Sequence, residues 1–280
     1  MHDTPFVNQG QDIEDYLPVG ALKSTANDSL VTYNIANVTM TSTGTTWQAY
    51  GSHAGVSVNI TMEVSGQEFL HVGNFSQLSD CPLDTPSANS NCTGSAGGIV
   101  HAVATGTISF NDTTLVLDQA YSVHERLIQG GSVPSRIQNS DGIGAFWMHA
   151  WGQRLSFFTF TADTQYATGE VTIDGQTYVS SGVANTSIET IGSWLDPKSN
   201  QLIPYKWTTF AILDFGRMDA TVTAYGRLYY YWVRDGGLII TYQFVADAET
   251  TFVYTNGTTI SEEQPAFIEY FRTFYIQTHQ

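Results

Sequence analysis

Charge is scarce in this chain of 280 residues, and positive charge is scarcest: 10 Lys plus Arg stand against 26 Asp plus Glu, a formal net charge of −16. Such a balance repels phosphate backbones and anionic head groups, which argues against nucleic acid and membrane surfaces as partners. No apolar run is long enough to span a bilayer, and no signal peptide is present, so an exported form is expected to have lost its leader. The chain also lacks a phosphate-cradling glycine loop, a Gly-x-Ser-x-Gly elbow and a His-Glu-x-x-His helix. Its 7 histidines lie far apart in sequence, which disfavours a structural zinc site. Cysteine is nearly missing, with 2 residues in all.

What is present points outside the cell. The surface must be largely hydroxyl and amide, because only 13% of residues are charged while 42% are hydrophobic, enough for a sizeable core. Asn-x-Ser/Thr triplets occur at Asn27, Asn37, Asn59, Asn74, Asn91, Asn111, Asn185 and Asn256, each a potential glycan acceptor. Chance triplets in a chain rich in Thr and Asn could account for a few of these. Cys81 and Cys92 bracket a Pro-, Ser- and Asn-rich segment without periodicity. A disulfide across so short a loop would contribute roughly 2–3 kcal/mol. The alternative, a reactive thiol, has no neighbouring basic residue to activate it. Together these features predict a secreted glycoprotein.

Hydrophobic periodicity is two almost throughout. "VTYNIANVTM", "GVSVNITMEVSG", "GIVHAVATGTISF", "RLSFFTFTA" and "ATVTAYGRLYYYWV" alternate and end at Gly, Asn or Ser. Asn111-Asp112, Asp174-Gly175 and Asp235-Gly236-Gly237 read as hairpin turns. The pattern predicts an all-β chain. A break in "GGSVPSRIQNSDG" suggests two antiparallel β units, 1–138 with the disulfide loop and 139–280, with one large sandwich as the alternative. The end of the chain is ambiguous. Ser261 could cap a helix in which Phe267, Tyr270, Phe271 and Phe274 share a face, or the segment could be a last strand.

Gly144 to Arg154, "GAFWMHAWGQR", carries the most specific pattern. In a strand, Trp147, His149 and Trp151 face one way and Phe146, Met148 and Ala150 the other, with Gln153 continuing the first face. A core histidine satisfied by a carbonyl or hydroxyl would explain this. A site would explain it too: a desolvated imidazole can exchange a proton, and indole faces enclose or stack on a ligand. A second cluster lies in "YSVHERL", where His124 could act as acid or base, with Tyr121 and Glu125 on the opposite face. An exposed strand end explains that segment as well. In "GRLYYYWVRDGG", Tyr229 and Tyr231 form one row, and Arg227 either pairs with an aspartate or meets a ligand's acidic oxygen.

"MHAWG", Met148 to Gly152, resembles the Asp-His-x-Trp-Gly signature of the lipocalin-like family that includes carotenoid hydratase, kievitone hydratase and fungal Diels–Alderases. Gly142 and Gly144 before it and "SWLDPKSNQLIPYKW" after it are similar in style. This sequence has Met148 at the signature's aspartate. The resemblance implies two lipocalin-like units in tandem, with the signature opening the second. It further implies a cofactor-free enzyme that binds an apolar terpenoid or polyketide and either adds or removes water or promotes a (hetero-)Diels–Alder cyclisation. His149 would move the proton, between Trp147 and Trp151. Two rivals remain: a carbohydrate-active or carbohydrate-binding sandwich, for which Glu63, Glu170 and Glu189 are candidate carboxylates, and a passive carrier of hydrophobic ligands.

Overall fold

The computed structural model describes residues 23–27, 30–64, 70–74, 95–127, 145–162, 166–195, 202–234 and 237–275. Every regular element among them is a strand, and the strands form two antiparallel sheets in the manner of two lipocalin-like units. Cys81, Cys92 and Asn91 lie outside the described residues, and so do the side chains of Asn74, Glu125, Tyr229 and Tyr231.

The first sheet contains β1 (Lys23–Ala26), β2 (Val31–Ile35), β3 (Val38–Ser42), β4 (Thr46–His53), β5 (Val56–Val64), β6 (Leu70–Asn74), β7 (Ser95–Phe110) and β8 (Thr113–Leu127). Its order is β1-β2-β3-β4-β5-β7-β6, with β8 paired to β7. Residues Gln11–His71 and Gly97–Arg126 make one compact unit. Its core is small: Met62 and Ala102 are buried, with Trp47 and Val64 packed against them. Two glycines let neighbouring strands approach, Gly51 at φ 138° and Gly106 at φ 123°. A Cβ on either would strike a partner-strand carbonyl, that of Asn37 or Asn59 respectively.

The second sheet contains β9 (Ala145–Ala150), β10 (Leu155–Ala162), β11 (Tyr166–Ile173), β12 (Gln176–Ser181), β13 (Thr186–Leu195), β14 (Leu202–Leu213), β15 (Gly216–Arg234), β16 (Gly237–Tyr254) and β17 (Thr259–Tyr275). The order is β12-β11-β10-β9-β17-β16-β15-β14-β13. Its two edge strands are consecutive in the chain, so the sheet curls on itself and the turn between them draws the edges together. Side chains stitch this seam. Thr186 Oγ1 donates to Ser180 Oγ (2.8 Å), and Ser180 Oγ donates to the carbonyls of Asn185 and Ile212 (both 3.0 Å). Thr209 Oγ1 reaches Thr159 Oγ1 (3.1 Å) across the curl.

Inside the curl lies the main core, with Phe157, Trp207, Phe244, Phe252, Met148 and Met218 all at 0% exposure. Small residues, Ala211, Ala246 and Ala248 among them, alternate with these large ones. Among the described residues this alternation of large and small side chains packs the interior closely.

The end of the chain is strand, and the helix is not formed. β17 sits between β9 and β16, pairing with both. Ala266, Ile268 and Tyr270 point to the core while Phe267 and Glu269 take the other face. Aromatic side chains on both faces of one strand produced the apparent helical spacing. The Asp174-Gly175 turn is as expected, with both residues at positive φ (48° and 82°), which suits a two-residue hairpin.

Candidate functional site

β9 alternates as its sequence requires. Met148 and Ala150 enter the core at 0% exposure, whereas Trp147 (6%) and His149 (0%) occupy the opposite face and are buried there too. The strand pairs with β10 on one side and β17 on the other, placing Phe158 and Phe267 beside His149. The Phe158 ring lies 4.8 Å from the imidazole, and Trp151 stacks on it at 5.7 Å with an interplanar angle of 8°. Trp147 meets Phe160 at 4.6 Å. The signature's Met148 therefore points away from His149, and an aspartate at that position would enter the apolar core.

This face is open to solvent at one end and closed at the other. Along β16, Val245, Asp247 and Glu249 are exposed, Gln243 is half-buried and Thr241 is fully buried. The closed end holds a carboxyl group, Glu269, which accepts a hydrogen bond from Gln243 Nε2 (3.0 Å) and pairs across strands with Trp147. Because the His149 ring has no exposed surface, a ligand reaches it only by displacing what covers it.

Besides Glu269, the register brings a second carboxylate to this face. Glu170 on β11 pairs with Phe158, which pairs with His149, so the three side chains form one row across three strands. Two strand spacings separate Glu170 from His149, about 10 Å. Glu170 has 0% exposure, and burial pushes its carboxyl up from 4.5 to about 8. It is thus largely protonated at neutral pH, a potential proton donor on an aromatic surface.

The turn after β9 is clamped from β17. Glu262 accepts hydrogen bonds from the backbone N–H groups of Arg154 (3.1 Å) and Leu155 (2.9 Å). Trp151 N donates to the Pro265 carbonyl (3.1 Å) and Gly152 N to Ser156 Oγ (3.0 Å). A Cβ on Gly152 would collide with Glu262, Gln264 and the Leu155 carbonyl, so the Trp-Gly of the motif is a packing requirement. Gln153 does not continue the face: the strand has ended, and Gln153 is exposed in the turn. Next to it Arg154 forks onto Asp174 (2.8 and 3.0 Å), which holds that exposed carboxyl below its usual range.

The remaining candidates are dispersed. Arg227 is 5% exposed on the core side of the curl, its guanidinium 4.3 Å above the Trp194 ring. Arg217, by contrast, pairs with Asp219 on its own strand (2.7 Å). His124 belongs to the first unit, where its ring packs 4.1 Å from Trp47, and Tyr121 on the same strand is 49% exposed. Glu63 and Glu189 are exposed. Glu170 and Glu269 share a face, but their backbones stand three strand spacings apart and two residues out of register, about 16 Å. That exceeds the roughly 6–9 Å an inverting glycosidase requires. Among the described residues, no cluster of His, Cys, Asp and Glu could hold a metal ion.

No family model matches the chain, and no curated protein resembles it closely in sequence. Solved structures do resemble it. CghA, determined with Sch210972, superposes with a TM-score of 0.56 at 10% identity, over 90% of this chain and 73% of its own. A protein designated AttH from Nitrosomonas europaea gives 0.50 at 11% identity, over 88% of this chain and 70% of its own. Kievitone hydratase from Nectria haematococca gives 0.44 at 11% identity, over 87% and 83%. At such identities the likeness establishes the fold.

Proposed function

We propose that this chain is a secreted, glycosylated enzyme of the lipocalin-like hydratase and Diels–Alderase family. It acts without a cofactor on an apolar terpenoid or polyketide, removing or adding water or promoting a cyclisation. The fold shared with CghA supports the enzyme kind. The observation that carries the reading is the grouping on one face of β9 of a buried imidazole, His149, with Trp151 stacked on it and Phe158 beside it. His149 transfers the proton, and Trp147 and Trp151 wall the ligand.

Export is consistent with the sequons. Asn37, Asn111, Asn185 and Asn256 are exposed in turns between strands, Asn27 is exposed just after β1, and Asn59 is exposed on β5. All six could carry a glycan without disturbing a core.

Incubation with a panel of polyhydroxylated terpenoids and tropolones, and separately with oligosaccharides, tests the function. The expected result is a product that has lost or gained water, or a cyclised isomer, with His149→Ala slowing its formation roughly 10²–10⁴-fold. Hydrolysis of a sugar, or binding of terpenoids without conversion by the wild type, would overturn the reading in favour of one of its rivals.

A further inference from the structure

We propose that an N-linked glycan on Asn256 is part of the fold, its first N-acetylglucosamine lying on the Tyr254 ring and covering a cleft at the hairpin end of the second sheet. This rests on the reading above that the chain is exported and glycosylated, and it assigns one sugar to one aromatic ring. Of all the sequons, only that of Asn256 has an aromatic residue two positions before the asparagine, and only there is the middle residue glycine, in Tyr254-Thr255-Asn256-Gly257-Thr258.

The turn between β16 and β17 shows why that spacing matters. Gly257 N donates to the Tyr254 carbonyl (2.9 Å), Tyr254 N donates to the Thr258 carbonyl (2.8 Å), and Gly257 has φ 86°. These are the bonds of a three-residue hairpin loop ending in a left-handed glycine. Tyr254 and Thr258 therefore stand opposite each other at the ends of two strands, about 5 Å apart. The Asn256 side chain folds back toward them, its Oδ1 accepting a hydrogen bond from Thr258 N (2.9 Å). A glycan attaches at Nδ2 of the same amide, so its first sugar starts about one strand spacing from Tyr254. The attachment consumes a lipid diphosphate-linked oligosaccharide: Nδ2 loses a proton, an N–C bond forms to the anomeric carbon, and the lipid diphosphate leaves with the electron pair of the broken C–O bond.

Space is open on that side. Tyr254 is half-buried and lines a solvent-facing cleft of about 440 Å³ with Ile173, Asp174, Gln176, Tyr178 and Phe215. Its ring packs on Phe252 (4.9 Å) and Phe215 (6.0 Å). The C–H face of a pyranose is apolar while its edge carries hydroxyls and an amide, so it covers a phenol ring and keeps its own edge hydrated. Asp174 and Gln176 are exposed on the same cleft and offer hydrogen-bonding groups to that edge. The Arg154–Asp174 ion pair at the border suits a hydroxylated sugar better than a wholly apolar molecule.

The test secretes the full chain from a eukaryotic host, with Tyr254→Leu, Asn256→Gln and the double variant made alongside. Mass spectrometry reads the occupancy of Asn256, and melting curves with NMR of the glycan read whether the sugar meets the ring. Asn256 is expected to be occupied. Asn256→Gln should lower the melting midpoint by about 2–4 °C, but by under about 1 °C in the Tyr254→Leu background. Ring protons of the first N-acetylglucosamine should be shifted upfield by the phenol and return to ordinary values in Tyr254→Leu. Should Tyr254→Leu fail to fold, the proton shifts of the wild type still decide. Trimming the glycan to its first sugar with an endoglycosidase should leave the midpoint unmoved; a fall would overturn the assignment to that sugar. An equal cost of Asn256→Gln in both backgrounds, or unshifted sugar protons, would overturn the proposal and leave the glycosylated reading standing. Sugar on other sequons but none on Asn256 would do the same. A secreted chain with no sugar at all would overturn both.

Discussion

At Gly152 a single hydrogen decides whether the motif's turn can close. Glu262 and Gln264 press on its Cα from β17, and the Leu155 carbonyl closes the third side. Gly152→Ala should therefore destabilise the protein by roughly 1–3 kcal/mol, measured by urea unfolding, because backbone as well as side chain must shift. Glu170 makes a prediction with a defined sign. Its folded-state pKa is raised from 4.5 to about 8, so between those values the native state holds a proton that the unfolded chain releases. Stability should fall as pH rises through that window, by up to about 1.4 kcal/mol per unit. Glu170→Gln should flatten that slope in urea titrations; an unchanged slope would show that the carboxyl is not held neutral. The exposed Arg154–Asp174 pair, by contrast, should contribute little, and Asp174→Asn should leave the midpoint almost unmoved.

At the scale of elements, the sheets depend on close approaches that alternation alone does not reveal. Gly51 lies opposite Val38 at a φ that L residues avoid, and its Cα abuts the Asn37 carbonyl. Gly51→Ala is expected to loosen the β3–β4 pairing at a cost of roughly 1–3 kcal/mol, with faster amide exchange along that hairpin as the readout. Strand identity was legible wherever one face was apolar, as in β5, where Val56, Val58 and Ile60 alternate with the exposed Ser57 and Asn59. It was not legible in β17, because a strand buried on both faces loses its period-two contrast. The same limit shaped the site. Trp147, His149 and Trp151 were readable together because they lie two residues apart on one strand. Glu170 was not, since its place beside Phe158 depends on the register of two successive hairpins. Gln153 was misplaced because nothing in its local pattern announces that β9 stops at Ala150.

For the whole molecule, the sequence conveyed the class, two antiparallel β units, while leaving a C-terminal helix open, and an acidic composition poor in lysine and arginine. It could not convey that the second sheet curls on itself and carries a buried row of polar and aromatic groups on the face away from its core. The most direct measurement is product formation by wild type and His149→Ala in parallel, on any hydroxylated terpenoid or tropolone the wild type converts, with melting curves matched between the two. The account predicts that the variant folds, still binds the compound, and forms product at least a hundredfold more slowly. Equal rates from two equally folded proteins would contradict it.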